Sequence, residues 1–241
     1  MINNNKQENY KVSRTDRLWE IDFFRGIAIV LMVIFHTIVD LKDFYGYDID
    51  YMSGFWSYVG KLSAILFILI SGISSTFSKN NIKRGIIVFS FGMLLTLVTY
   101  IYDQSFFIRF GILHFLGISM ILYGLISRAK LSYLLVISVA AISLGQIFDG
   151  MTVNTPFLFP IGLRNDSFSS LDYYPLLPWF GLFLIGVLIG KTIYTNKKAI
   201  FNVKVKYDPL SYLGKHSLFI YLIHQPVILV LLHAYHMLAA G

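Results

Sequence analysis

Asp22, Arg25, Met32, His36 and Asp40 follow one another at spacings of 3, 7, 4 and 4 residues. Each spacing returns to one helical face. A histidine with a carboxylate at i+4 has a definite chemical use. The carboxylate accepts one ring N–H, selects the tautomer, and leaves the other ring nitrogen as a base. His36 is therefore the candidate base and Asp40 its expected orienting partner. Arg25 precedes His36 by roughly 16 Å of helix, and its guanidinium suits a phosphate. Ionisable side chains within an apolar span are costly and mark sites. The structural alternative, in which His36 merely bonds a neighbouring helix, is weakened by Arg25 and Asp40 on the same face.

Two further stretches carry polar side chains at depth. FIRFGILHFLG, residues 107–117, repeats Gly111, His114 and Gly117 every three residues. That face can pack closely on another helix and carry His114 to mid-depth. Arg109 precedes it, as a cavity-lining group or as an arginine reaching the headgroups. GKHSLFIYLIHQP, residues 214–226, places Ser217, Tyr221, His224 and Gln225 on one side, and Pro226 is expected to kink the helix there. His216, His233 and His236 read as interfacial. Asp172 stands beside the aromatic run YYPLLPWFGLFLIGVLIG, whose Tyr173, Tyr174 and Trp179 suit a membrane interface. His36, His114 and His224 lie on three different segments, no two at ligand spacing on one helix, so no metal is expected.

These residues need a bilayer to position them. Of the 241 residues, 56% are hydrophobic and 14% charged, and the mean hydropathy is +0.65. So few charges cannot cover a water-soluble surface of this size. Apolar stretches of spanning length lie at 21–41, 60–78, 85–102, 106–127, 131–149, 175–194 and 211–238. Backbone groups in lipid must be satisfied internally, so the spans are helices. The fold class is all-α, a polytopic membrane protein with about seven transmembrane helices. All lysines and arginines except Lys42, Lys61, Arg109 and Arg164 fall on one side of this arrangement. The positive-inside rule then places the N-terminus in the cytoplasm and the C-terminus outside. Residues 1–16 read as a flexible cytoplasmic N-terminus, without a cleavable signal sequence, and 17–241 as a single domain. The longest outer loop is 150–174, and the inner loop 195–209 is basic. There is no cysteine, which excludes disulfides, thiolate catalysis and Cys-based metal sites. The net charge of +7 reflects loop retention, and no nucleic-acid module is present.

RLWEIDFFRGIAIVLMVIFH (17–36), LFILISGIS, FGILHFLG, YYPLLPWFGLFLIG and GKHSLFIYLIHQP together resemble the heparan-α-glucosaminide N-acetyltransferase catalytic-domain family. The Arg-to-His spacing of the first span also resembles the broader acyltransferase-3 family. The resemblance implies a multi-pass acyltransferase of the cell membrane. It would take an acyl group, commonly acetyl from cytoplasmic acetyl-CoA, to an extracytoplasmic sugar-containing acceptor in the cell envelope. Residues 42–56 contain no histidine, whereas the lysosomal branch carries its catalytic histidine in that first loop. An intramembrane histidine must serve instead, and His36 fits best. On this reading Arg25 binds donor phosphate. Asp172, Arg109, His114, Tyr221, His224 and Gln225 line the cavity, with His114 and His224 near the developing oxyanion. The rival readings are a proton-coupled transporter using the same residues as a relay and a non-catalytic subunit of an envelope-synthesis complex. Partners are the donor, the acceptor and the bilayer. A homo-oligomer is among the assemblies open to such a chain.

Overall fold

The computed structural model describes residues 18–195 and 208–239. The N-terminal segment 1–16, Arg17, the lysines of the 195–209 loop and Gly241 lie outside the described residues. The order is α1 (Trp19–Tyr45), α2 (Gly54–Phe77), α3 (Asn81–Tyr102), α4 (Ile112–Ile126), α5 (Leu131–Phe148), a 3-10 turn (Phe159–Ile161), α6 (Leu176–Thr192), α7 (Pro209–Lys215) and α8 (Ser217–Ala239). Among the described residues no strand forms, only isolated bridges at Phe110–Tyr173 and Thr152–Arg164. Helices α1, α2, α3, α5 and α8 are long and apolar enough to cross a membrane, and α4 and α6 are shorter apolar helices. The chain is an all-helical polytopic membrane protein.

Local chemistry sets several boundaries. Gly46 ends α1 in the left-handed region at φ 70°, its N–H on the Leu41 and Lys42 carbonyls. The Asn80 side chain caps α3 through the Lys83 N–H, and Asp208 caps α7 through the Leu210 N–H, with Pro209 at the first helical position.

Packing is central for α2, α4 and α6, whose Ile68, Phe115, Leu116, Phe183 and Leu184 are almost fully buried. Helix α1 packs on α2 and α7, α3 on α4, α5 on α6, and α8 on α1. Close approach relies on missing side chains. A Cβ at Gly26 would stand 2.6 Å from the Leu210 carbonyl carbon, and one at Gly214 would stand 2.7 Å from that of Asp22. Helices α1 and α7 therefore touch backbone to backbone, as small residues permit where lipid supplies no hydrophobic drive between helices. Apolar side chains such as Leu97, Ile101, Val136, Val139, Val230 and Leu231 point outward from α3, α5 and α8. They form the face a bilayer would cover.

Cross-links show which helix ends share a side. Arg25 donates to Ser74 Oγ at 2.6 Å, Arg84 reaches the Ser74 carbonyl at 3.4 Å, and Lys191 reaches the Ser127 carbonyl at 2.6 Å. That side is the basic end, and the ends of α1, α3, α5 and α8 opposite it form the far end. Two expected spans need correction. The stretch 106–127 is helical only from Ile112, because residues 103–111 double back along α3: Thr96 Oγ1 donates to the Ile108 carbonyl and the Ile108 N–H donates to Thr99 Oγ1. The stretch 211–238 breaks at His216 into α7 and α8, while the helix runs on through Pro226.

Candidate functional site

Helices α1 and α8 cross at His36 and His224, whose rings meet edge to face with centroids 4.7 Å apart. Both rings are pinned through their own helices. His36 Nδ1 lies 2.9 Å from the Met32 carbonyl and His224 Nδ1 lies 2.6 Å from that of Tyr221. A carbonyl only accepts, so each Nδ1 carries the hydrogen and each Nε2 keeps a lone pair in the neutral ring. Asp40 is almost fully buried, and its Oδ1 accepts from Gln225 Nε2 at 2.7 Å. Asp40 Oδ2, Gln225 Oε1 and His224 Nε2 are buried and meet no protein partner. All three are acceptors, so a group bearing several O–H or N–H donors would satisfy them.

The far-end loop supplies a further carboxylate. Asp172 Oδ2 accepts from the Ile112 N–H at 2.9 Å, at the start of α4, and from Tyr221 O–H at 3.4 Å. Burial pushes the Asp172 carboxyl above its usual range, against those hydrogen bonds and the nearby His36. Tyr221 joins this pocket to the basic end: its ring stands 5.4 Å from His224 and stacks on Phe67 at 6.4 Å.

Phe67 also lines a cavity of about 370 Å³ at the basic end. Its cations are Arg25, Lys83, Arg84 and Lys215, its hydroxyls Ser71 and Ser217, and its apolar wall includes Val88, Leu113, Leu116 and Met120. Arg25 is held by Asp22 Oδ1 at 2.8 Å and by Ser74. Four cations over an apolar wall match an elongated ligand with phosphates at one end.

The structure thus gathers His36, Asp40, Asp172, Tyr221, His224 and Gln225 in one place, with Arg25 in the cavity below. Two expected details are corrected. Asp40 does not hydrogen-bond His36: the Met32 carbonyl, four residues back on the same helix, occupies the nitrogen that needs orienting, and Asp40 turns to Gln225. His114 lies on the first turn of α4 and, because residues 103–111 double back, level with Gly92 at the middle of α3; what changes is its expected role. Its Nδ1 accepts from the Gly111 N–H at 3.2 Å, so its Nε2–H faces Thr96 Oγ1 at 3.2 Å. With both nitrogens engaged, His114 supports the turn that presents Ile112 to Asp172 and has no hydrogen left for an oxyanion. His224 Nε2, as an acceptor, offers none either. Arg109 stands apart, on the folded-back stretch, between Phe107 and Phe168. The reading from sequence passed over Phe67 and treated Lys83, Arg84 and Lys215 only as topology signals. A phenylalanine in a span carries no signal of its own, whereas adjacent Lys83 and Arg84 at a helix foot did. Among the described residues, no group of three or more His, Asp or Glu side chains is arranged to hold a metal ion.

A helical membrane bundle with a histidine–carboxylate pocket toward one end and a polycationic cavity at the other defines an integral membrane protein whose polar site runs through its core. Residues 17–226 match the family described as heparan-alpha-glucosaminide N-acetyltransferase, catalytic, and the chain belongs to that family. In general terms it is a transmembrane acetyltransferase. No curated protein and no solved structure matches it.

Proposed function

We propose that the chain is a seven-span, acetyl-CoA-dependent acyltransferase of the cell membrane that acts on an extracytoplasmic glycan or glycolipid. The basic end faces the cytoplasm and the far end faces outward. One observation carries the reading: His36, with Nδ1 pinned and Nε2 free, sits among three unpaired buried acceptors, and ring contacts through His224, Tyr221 and Phe67 connect it to the cationic cavity.

The donor's phosphates rest on Arg25, Lys83, Arg84 and Lys215, and its thioester points toward Phe67 and Tyr221. The acceptor enters from the far end and donates hydrogens to Asp40 Oδ2, Gln225 Oε1 and His224 Nε2. His36 Nε2 removes the proton from the attacking hydroxyl or amine as the new bond to the acyl carbon forms. The carbon–sulfur bond breaks, and the proton passes to the departing thiolate, giving free CoA and the acylated sugar. Asp40 and Asp172 favour the transient imidazolium by their charge.

Transfer of radiolabelled acetyl from acetyl-CoA to a sugar by the purified protein tests the reading. Activity lost in His36→Ala, with acetyl-CoA binding retained, is the expected result. Full turnover by His36→Ala would move the base elsewhere. Proton flux without acyl transfer would favour the relay of a transporter.

A further inference from the structure

Arg109 is a cation that the pocket does not use. Its guanidinium lies 4.9 Å from the ring centre of Phe107 and 5.8 Å from that of Phe168. Its Nε is buried and meets no acceptor. The far-end turns hold Asp48, Asp50, Asp103, Asp149 and Asp166, and Asp43 lies in the last turn of α1. Yet among the described residues the one ion pair made by a far-end cation is the loose 3.9 Å contact of Arg164 with Asp149. A clamped, partly desolvated guanidinium without a counter-charge is costly. It is also a preformed receptor for an anion, since its fork is already oriented.

Its backbone ties it to the reaction centre. The Arg109 N–H donates to Ser170 Oγ at 3.0 Å, and that hydroxyl donates to the Asp172 carbonyl at 2.7 Å. The next residue, Phe110, accepts from the Tyr174 N–H at 3.0 Å. Arg109 and Asp172 thus sit on two adjoining stretches of one cap, and Asp172 reaches Tyr221 beside His224. An arginine reaching out to lipid headgroups extends its stem outward to the interface, whereas this guanidinium lies against the Phe107 and Phe168 rings. The backbone beside Arg109 is bonded to Thr96 and Thr99, six and three residues before α3 ends, so it lies roughly 5–9 Å below that end.

Resting on the acyltransferase reading, we propose that Arg109 is the anion-receiving group of the acceptor site. The acceptor then carries a carboxylate or phosphate close to the hydroxyl or amine that is acylated. With the acid on the Arg109 guanidinium, the rest of the sugar reaches inward past Asp172 to His36.

The test uses the full chain in nanodiscs and acceptor pairs that differ by one acidic group: methyl glucoside against methyl glucuronide, and glucosamine against glucosamine 6-phosphate. For the wild type, kcat/KM should favour the acidic member of at least one pair by about tenfold, mainly through KM. R109Q should bring that ratio close to one, and R109K should fall between, because lysine keeps the charge without the planar fork. Equal use of both members by the wild type, or an equal loss on both in R109Q, overturns the proposal and leaves the acyltransferase reading standing. If no sugar is acylated, calorimetric binding of methyl glucuronide and glucosamine 6-phosphate decides. Binding by the wild type but not by R109Q supports the anion site while the enzymatic reading fails, and no binding by either refutes it. Nanodiscs with and without anionic phospholipid form the last arm. If R109Q alters only the dependence on that lipid, Arg109 is a headgroup anchor and the proposal is wrong.

Discussion

Replacing Gly214 by alanine tests whether the contact of α7 with α1 holds the cationic cavity together. The new Cβ would stand 2.7 Å from the Asp22 carbonyl carbon, and closer still to its oxygen. Non-bonded carbons settle at about 3.5–4.0 Å, so α7 must retreat by about 1 Å. Backbone cannot rotate aside as a side chain would. A gap of that size removes about a quarter to a half of each contact energy along the seam, and overpacking of this kind costs about 1–3 kcal/mol. For a chain of this length that is a fall of roughly 2–12 °C in Tm. The retreat also carries Lys215 and Ser217 away from the cavity they line. Loss of one charge-assisted hydrogen bond to a donor phosphate is about 1.5–3 kcal/mol, so acetyl-CoA affinity should drop at least tenfold. Gly26→Ala meets the Leu210 carbonyl carbon at 2.6 Å and should act alike. The double variant should cost clearly less than the sum, because one retreat relieves both collisions. Thermal melting and calorimetric titration of acetyl-CoA on the detergent-purified protein measure these effects. A Gly214→Ala protein that melts and binds like the wild type, or a strictly additive double variant, would refute the backbone-to-backbone seam.

His36→Ala should lower acetyl transfer by about 10²–10⁴-fold in a single-turnover assay, and Asp40→Asn by less, since the base stays pinned by the Met32 carbonyl. Arg25→Ala should weaken acetyl-CoA binding by about tenfold, with Lys61→Ala at wild-type affinity; equal effects in a titration would move the donor site. Burial raises the Asp172 carboxyl above the usual Asp range. The folded state thus keeps its proton to higher pH than the unfolded chain, and this contribution to stability is lost as pH rises upward from the ordinary value of about 4. Melting across that window should show the decline, and Asp172→Asn should flatten it. Reporter fusions should find the 195–209 loop in the cytoplasm and Gly241 outside; a cytoplasmic Gly241 would contradict seven spans.

Much of the bundle was legible because lipid imposes one rule on every span. Runs of apolar residues mark helices, and basic residues sort their ends. The face of α1 was legible for the same reason, since the 3, 7, 4 and 4 spacing of Asp22, Arg25, Met32, His36 and Asp40 is a property of a helix alone. What could not be read is long-range partnership. Nothing local tells Asp40 that Gln225, 185 residues later, will claim it, or that Phe67 will stack on Tyr221. The late start of α4 was hidden because FIRF, Arg109 apart, is as apolar as a helix interior. Only Thr96 and Thr99, on the preceding helix, show that this stretch spends its hydrogen bonds elsewhere.

The folded-back stretch has a consequence for biosynthesis. Phe110 joins Tyr173 and Tyr174, and Ile112 joins Asp172, across some sixty residues that include the whole of α5. During insertion α4 enters the bilayer long before its capping carboxylate exists. That carboxylate in turn waits for Tyr221 of the final helix. The two halves of the pocket therefore meet only at the last step of assembly, and a chain halted before α8 holds His36 with no second histidine beside it.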